Sequence, residues 1–230
     1  MNKIDSLFYY RSIKCKSCND WIPIFALGHY KPTDQGEDTF SKRCIGFYNL
    51  GYSSSLFLNA FVDLFNSRND IKFDFVCIIP THVAGEYNKH LVSLVQNFSK
   101  QMNIPYLQVL NRTKTINEQH KLKYEDRVKN LKDSIIIPEE YAEKIKGKSI
   151  LIIDNTSTTG VTINEVNDLL VHKYYVSKCV FLCLSLGYDQ KDKDFDINPT
   201  YKAKFSEIVK KFHGAKTSKE DREKFKSLNK

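Results

Sequence analysis

Residues 150–162 read ILIIDNTSTTGVT, so four apolar residues are followed at once by Asp154 and Asn155 and then by a turn rich in threonine and glycine. A turn that enters a helix offers free backbone N–H groups and the positive end of the helix dipole, which together favour an anion. Gly160 lets the backbone approach a ligand closely. Uncharged hydroxyls add donors, and Asp154 can accept hydrogen bonds from the hydroxyls of a sugar. The hydroxyl-bearing residues are Thr156, Ser157, Thr158, Thr159 and Thr162.

The chemistry of this segment requires a strand before it and a helix after it. Apolar periodicity predicts helices over residues 53–66, 86–102, 138–146 and 162–172, and strands over residues 73–79, 106–110, 149–153 and 180–186. Strands that alternate with helices in this way favour an α/β fold, with a parallel sheet flanked by helices and right-handed crossovers. Ligands of such sheets bind at the carboxyl ends of the strands, which is where Asp154 is expected to lie.

The chain has 230 residues, of which 41% are hydrophobic, and this is enough for one sizeable core. We expect a main domain over residues 51–190. Residues 1–50, punctuated by glycine and proline, are expected to be irregular and to form a small N-terminal hood or zinc knuckle. Residues 111–134 are polar and basic and do not resemble core. Residues 191–230 are expected to form a basic helical tail.

Residues 150–162 resemble the signature of the type I phosphoribosyltransferases, which bind phosphoribosyl diphosphate (PRPP). The resemblance implies a phosphoribosyltransferase-like sheet in which Asp154 and Asn155 hold the ribose hydroxyls, Mg²⁺ bridges ribose and diphosphate, and residues 156–162 hold the 5′-phosphate. In this family the protein mainly positions PRPP and stabilises charge as diphosphate leaves. The signature has a second acid where this chain has Asn155, which weakens that electrostatic help. The alternative interpretation is an ordinary strand-to-helix turn capped by threonines.

Two further segments resemble the ComF-type (competence-associated) members of this family. Residues 79–105, IPTHVAGEYNKHLVSLVQNFSKQMNIP, resemble their strand, PxxxxxRGFN loop and helix, although Gly85 and Glu86 replace the usual Arg-Gly pair. Residues 110–137, LNRTKTINEQHKLKYEDRVKNLKDSIII, resemble a stretch that forms a mobile arm near the family's site. The matching residues are Pro80, His82, Tyr87 and Asn88 in the first segment, and Arg112, Lys114, Thr115, Gln119, Leu122, Arg127 and Asn130 in the second.

This second resemblance implies further contacts with PRPP. Thr81 and His82 are expected to bind PRPP, and Arg112 and Lys114 could neutralise its diphosphate. The alternative is that the basic residues of the second segment line a solvated helix face. That is the preferred interpretation of Lys121, Lys123 and Lys129.

Cys15 and Cys18 form a CxxC spacing, which lets two thiolates bind one Zn²⁺. ComF-type proteins often carry a small N-terminal zinc site, so the position of this spacing fits the resemblance. A structural zinc site needs four ligands, and His29 and Cys44 could complete the set. A redox dithiol and a ligand-free remnant of such a site are the alternatives.

The net charge is +8, and much of the basic excess follows Lys202. No window reaches the roughly 18 consecutive apolar residues of a membrane span, and the N-terminus does not resemble a signal peptide, so we expect a cytoplasmic protein. Three hypotheses stay open. The chain is an enzyme that transfers the phosphoribosyl group to a nucleobase-like acceptor, a non-catalytic PRPP or nucleotide sensor, or a DNA-uptake accessory that binds nucleic acid. The relatives commonly form homodimers.

Overall fold

The computed structural model describes residues 7–17, 21–31, 38–66, 72–187 and 201–204, and the structural statements below concern these residues. The strands are β1 (Leu7–Lys14), β2 (Trp21–Tyr30), β3 (Phe75–Ile78), β4 (Asn111–Arg112), β5 (Ile135–Ile136), β6 (Ser149–Ser157), β7 (Lys178–Gly187) and β8 (Tyr201–Lys204). The α-helices are α1 (Thr39–Leu50), α2 (Ser54–Asn66), α3 (Lys89–Met102), α4 (Tyr124–Leu131), α5 (Glu139–Ile145) and α6 (Val161–Asn167). A π-helical turn, Asp168–Lys173, continues α6.

The main sheet has the strand order β3-β6-β7-β2-β1-β8. Strands β3, β6, β7 and β2 are parallel to one another, whereas β1 is antiparallel to both β2 and β8. A separate two-stranded sheet pairs β4 with β5. The expected α/β class, with a mostly parallel sheet flanked by helices, is confirmed.

Apolar side chains leave the central strands toward both faces of the sheet. In β6, Leu151 and Ile153 pack in one buried cluster with helices α1, α2 and α3. Ile150 and Ile152 pack in a second cluster, which includes residues of α5 and α6. Because helices cover both faces, the strands can be apolar at successive positions instead of alternating with polar ones. Two layers of helices thus enclose the sheet and fix the position of the carboxyl end of β6.

The strand predicted over residues 106–110 is wrong for most of its length. Tyr106 forms an isolated parallel bridge with Val76, and pairing goes no further. Beyond it the side-chain amide of Gln108 bonds the edge of β3, with Nε2 donating to the Ile78 carbonyl at 3.0 Å and Oε1 accepting from the Ile78 N–H at 3.3 Å. A side chain therefore satisfies backbone groups that a further strand would otherwise have paired.

The expectation that residues 1–50 are irregular is also wrong. Strands β1 and β2 belong to the main sheet, where β2 pairs directly with β7. Gly28, one of the glycines that were expected to punctuate residues 1–50, lies inside β2, and a Cβ there would be 2.6 Å from the ring of Phe40 in α1. Close packing, not a turn, explains this glycine. The division of the chain at residues 50 and 190 stays a prediction.

The basic tail lies largely outside the described residues. Its described part, Tyr201–Lys204, is the edge strand β8 and not a helix. Within the parts of the chain that the structure describes, no helix is both long and apolar enough to cross a membrane. Cytoplasmic localisation, nucleic-acid binding and homodimer formation stay predictions.

Candidate functional site

Strand β6 continues four residues beyond its predicted end. Thr156 and Ser157 still pair with β7, opposite Ser185 and Leu186. The Thr156 hydroxyl lies 2.8 Å from the Ser185 hydroxyl, and the Ser157 hydroxyl is buried with no hydrogen-bond partner among the described residues. The turn itself is therefore short, running over residues 158–160 before α6 begins at Val161. Only part of the predicted ligand-binding segment is a turn.

Asp154 and Asn155 are consecutive residues of β6, and both are partly buried. The Asn155 N–H donates to Asp154 Oδ1 at 2.8 Å. Burial raises the pKa of Asp154 to about 6, against the opposing effects of that N–H and of the positive charge of Arg112. Within the described part of the chain, Asn155 Oδ1 is buried and has no hydrogen-bond partner. The pair thus offers one carboxylate and one unsatisfied amide oxygen.

Arg112 is buried, at 3% exposure, and its positive charge acts on Asp154. Its Nε donates to the Thr81 carbonyl and its Nη1 to the Ser134 hydroxyl at 2.6 Å. Burial lowers its pKa to about 10, while Asp154 acts in the opposite direction, so Arg112 remains a cation at neutral pH. The structure therefore places Arg112 within electrostatic reach of Asp154, and its role toward diphosphate stays a prediction.

Lys114 lies elsewhere. Its side chain is exposed, and Nζ donates to the Lys132 carbonyl at 2.9 Å. The described contacts connect Lys114 to the end of α4 and not to Asp154. Its predicted role toward diphosphate stays a prediction.

The loop after β3 carries Thr81 and His82, and residues 111–136 contact this loop. We call residues 111–136 the arm. The Thr81 hydroxyl bonds within its own loop, to the Glu86 carbonyl at 3.1 Å. The His82 carbonyl accepts from the Ile116 N–H at 2.9 Å, and His82 Nε2 lies 3.8 Å from Glu118 Oε1. The predicted PRPP-binding residues of this loop are thus held against the arm.

The arm contributes to the core, contrary to expectation. Strands β4 and β5 pair and close its base. Between them, Ile116 and Leu131 form a small buried cluster with Val161, the first residue of α6. Because the arm is polar on average, its few apolar residues that face α6 did not stand out in the sequence. This cluster places α4 against the start of α6.

Two buried arginines converge on the turn from different elements. Arg127 of α4 donates from Nη1 to the hydroxyls of Thr158 at 3.4 Å and Thr159 at 3.3 Å. Arg11 of β1 donates from Nη1 to the Thr158 carbonyl at 2.5 Å and from Nη2 to the Gly187 carbonyl at 2.9 Å. Sequence reasoning assigned neither to the site. Arg127 lay within the matching second segment, whereas Arg11 gave no local signal beyond a charge among apolar residues.

Gly160 precedes α6 in the left-handed region, with φ of 75°. A Cβ at this position would be 2.6 Å from Cδ1 of Ile13 in β1. Glycine is therefore required both by the backbone conformation and by the packing of β1 on the turn. Thr162 follows in the first turn of α6 and is partly exposed.

Tyr48, near the end of α1, also lies close to the site. Burial raises the pKa of its phenol, and the negative charges of Asp154 and Glu118 add to this effect. Its carbonyl accepts from Asn88 Nδ2 at 3.0 Å, while Asn88 Oδ1 caps α3. No sequence motif singled out Tyr48, because its position depends on the packing of α1 beside α3.

The residues at the end of β6 fit a magnesium ion, which they would hold together with a ligand. Mg²⁺ prefers oxygen ligands and is usually held by one or two carboxylates together with substrate phosphates. Asp154 supplies a carboxylate, and the orphaned Asn155 Oδ1 can accept a hydrogen bond from a metal-bound water or a sugar hydroxyl. In the described parts of the chain no three His, Cys, Asp or Glu side chains form a ready-made metal cluster.

The proposed zinc ligands are only partly described. Cys15 is buried, with Sγ 3.5 Å from His172 Nε2, and Cys18 lies outside the described residues. Cys44 packs in the cluster on the opposite face of the sheet from Cys15, so it does not complete a set with Cys15. His29 packs edge-on against Tyr9, toward the other end of the β1–β2 hairpin. Zinc at Cys15 and Cys18 stays a prediction.

No family model matches the sequence, and no curated protein matches it. Among solved structures, the glutamine PRPP amidotransferase from B. subtilis complexed with ADP and GMP is similar, with 13% identity and a TM-score of 0.37 over 56% of this chain and 26% of that chain. A second similar structure, described as the allosteric regulatory enzyme of purine biosynthesis, has 10% identity and a TM-score of 0.39 over 77% of this chain and 42% of that chain. This chain spans less than half the length of either protein.

Proposed function

We propose that this protein binds PRPP with Mg²⁺ at the carboxyl end of β6 and transfers the phosphoribosyl group to an acceptor, with release of diphosphate. The observation that carries the proposal is the order of groups along one edge of the sheet. A carboxylate at Asp154 is followed by a threonine-rich turn at the start of α6, and buried cations lie near both. A phosphorylated sugar needs both an acceptor for its hydroxyls and a site for its phosphate, and this edge offers the two in that order.

Asp154 and Asn155 would hold the ribose hydroxyls. The carboxylate of Asp154 accepts hydrogen bonds. Asn155 Oδ1, which is buried and has no partner among the residues that the structure describes, would gain one when a hydroxyl or a bound water reaches it. When bound, Mg²⁺ would neutralise charge on the diphosphate. Residues 158–160 and the first N–H groups of α6 would surround the 5′-phosphate.

Arg112 would stabilise the diphosphate as it leaves. Its guanidinium is fixed by the Thr81 carbonyl and the Ser134 hydroxyl, so it is oriented before the ligand arrives. A buried cation that does not need to reorganise contributes more to charge stabilisation than a flexible exposed one. This supports Arg112 over Lys114 as the main cation for this step, since Lys114 is exposed.

The deciding experiment is a calorimetric titration of PRPP with Mg²⁺ into the wild-type protein and into Asp154→Ala. We expect binding by the wild type and loss of most of that binding in the variant. Asp63→Ala removes an exposed carboxylate of α2 and is the matched control. Absence of PRPP binding by the wild type would overturn the proposal. Diphosphate release is then measured with nucleobases and amines as acceptors.

A second candidate function is a PRPP sensor without turnover, and Asn155 is the observation that favours it. An amide at this position cannot supply the second negative charge that the signature provides. Binding would then depend on Asp154, and no acceptor would cause diphosphate release. Diphosphate release above the uncatalysed rate with any acceptor excludes the sensor.

A further inference from the structure

Arg127 brings a guanidinium from the arm to the turn at residues 158–160. The side chain is 6% exposed, and a single nitrogen, Nη1, donates to two hydroxyls at 3.4 and 3.3 Å. Both distances exceed the usual 2.7–3.2 Å of an N–H···O bond, so these two contacts are weak. An anion held by the turn would offer the same nitrogen a shorter, charge-assisted bond.

The contacts of Arg127 also connect the turn to the arm. Its Nε donates to the Leu122 carbonyl at 2.8 Å, which ties the guanidinium to the segment that precedes α4. Leu131, at the end of α4, packs with Ile116 against Val161. If a ligand at the turn attracts Arg127, the effect therefore extends to α4 as a whole and not only to this side chain.

The arm carries a buried arginine in its first strand and another in its helix. Arg112 is associated with Asp154, and Arg127 with the threonines of the turn. These two positions would correspond to the two phosphorylated ends of one sugar ligand. A planar guanidinium binds phosphate through two parallel N–H groups, which suits it to this task better than lysine.

We propose that Arg127 binds the 5′-phosphate of the sugar ligand directly and thereby couples the position of the arm to occupancy of the turn. This inference rests on the proposed function, since it assumes a phosphorylated sugar at the end of β6. It adds a specificity residue for that ligand. A sugar without the 5′-phosphate would leave Arg127 on the two threonine hydroxyls and the arm in its present place.

The test compares two probes, ribose 5-phosphate and inorganic diphosphate with Mg²⁺, by calorimetric titration. We expect Arg127→Gln to weaken ribose 5-phosphate at least about ten-fold, since a hydrogen bond to a charged group is worth enough for that change. Affinity for diphosphate should change less than about two-fold, because a substitution usually has no larger effect than this on a separate site. Arg127→Lys keeps the charge and should lower the affinity for ribose 5-phosphate by an intermediate amount, without lowering the affinity for diphosphate. Lys129→Gln removes an exposed charge from the same helix and is the matched control.

Hydrogen exchange over residues 113–133 supplies the second readout. In the wild type, ribose 5-phosphate should slow exchange in the arm, and in Arg127→Gln this protection should disappear. Equal weakening of both probes would assign Arg127 a merely structural role and overturn the inference, as would unchanged ribose 5-phosphate affinity. In both cases, binding of the probes by the wild type would still support the proposed function. If the wild type binds neither probe nor PRPP, the proposed function fails and the inference fails with it.

Discussion

Arg11 donates a hydrogen bond to the carbonyl of Thr158, 147 residues away in the chain. The same guanidinium reaches the Gly187 carbonyl at the end of β7. One buried cation thus connects β1, the turn after β6 and the end of β7. The N-terminal strand is therefore part of what shapes the turn.

Replacing Arg11 should destabilise the protein and the turn together. Arg11→Met keeps most of the buried volume but leaves the Thr158 and Gly187 carbonyls without this donor. We expect a loss of about 1–3 kcal/mol in the free energy of unfolding, which is typical of a buried polar group left unsatisfied. Urea denaturation measures it. Lys14→Met, an exposed change on the same strand, should stay within about 0.5 kcal/mol. Equal stability of the two variants would contradict the role of Arg11.

Gly147 and Gly160 have the same backbone conformation, so a comparison of their alanine variants separates the cost of backbone strain from the cost of overpacking. Gly147 has φ of 70° and open space where a Cβ would be, whereas Gly160 has φ of 75° and Ile13 at 2.6 Å. Gly147→Ala should cost about 1–2 kcal/mol from the left-handed conformation alone. Gly160→Ala should cost about 1–3 kcal/mol more, because the added methyl overpacks the interface with β1. Thermal and urea unfolding of both variants check this. A similar cost for both would mean that β1 moves aside without penalty.

The raised pKa of Asp154 gives stability a defined pH dependence. An aspartate titrates near 3.9 when unfolded and here at about 6. Between these values the folded state binds the extra proton, so this group's contribution to stability falls as pH rises from about 4 to about 6. Asp154→Asn removes this contribution. The free energy of unfolding of the variant minus that of the wild type should therefore increase across that window and become constant above it. Urea denaturation at about pH 4, 6 and 7.5 covers this window and would test the prediction. A difference that is independent of pH would refute the assignment.

Restoring the second acid tests the magnesium site independently of turnover. In Asn155→Asp without Mg²⁺, two carboxylates lie in adjacent, partly buried positions, and their repulsion should lower stability by about 1–2 kcal/mol at neutral pH. Added Mg²⁺ should recover most of this loss, since the ion binds the folded state selectively. Asn97→Asp, an exposed change in α3, should show neither effect. If Mg²⁺ does not stabilise Asn155→Asp more than it stabilises the wild type, residue 155 does not contribute to binding the ion.

Local patterns predicted much of the fold because they act over short stretches of chain. The apolar periodicity of α2 and α3 placed both helices within three residues of their observed bounds. The apolar run before Asp154 likewise placed β6, although not its continuation to Ser157. That continuation depends on pairing with β7, for which residues 154–157 carry no local signal.

Other features of the site depend on contacts between distant segments. The Gln108 amide took the place of a strand that the local sequence favoured. Gly28 resembled a turn residue and proved to be a packing position. In each case the deciding partner lies on another element, so no window of the sequence contains both members of the contact.

The sequence by itself determined that Asp154 ends an apolar stretch and that a threonine-rich turn and a helix follow, because strand pattern and turn chemistry are local properties. Only the tertiary structure decided that Arg11 and Arg127 meet at that turn, that Arg112 is buried near Asp154, and that Lys114 is exposed. The pattern of charges along the chain does not specify partners. Packing of β1 and of the arm against the sheet selects which cations are buried at the site, and burial gives those cations their electrostatic effect.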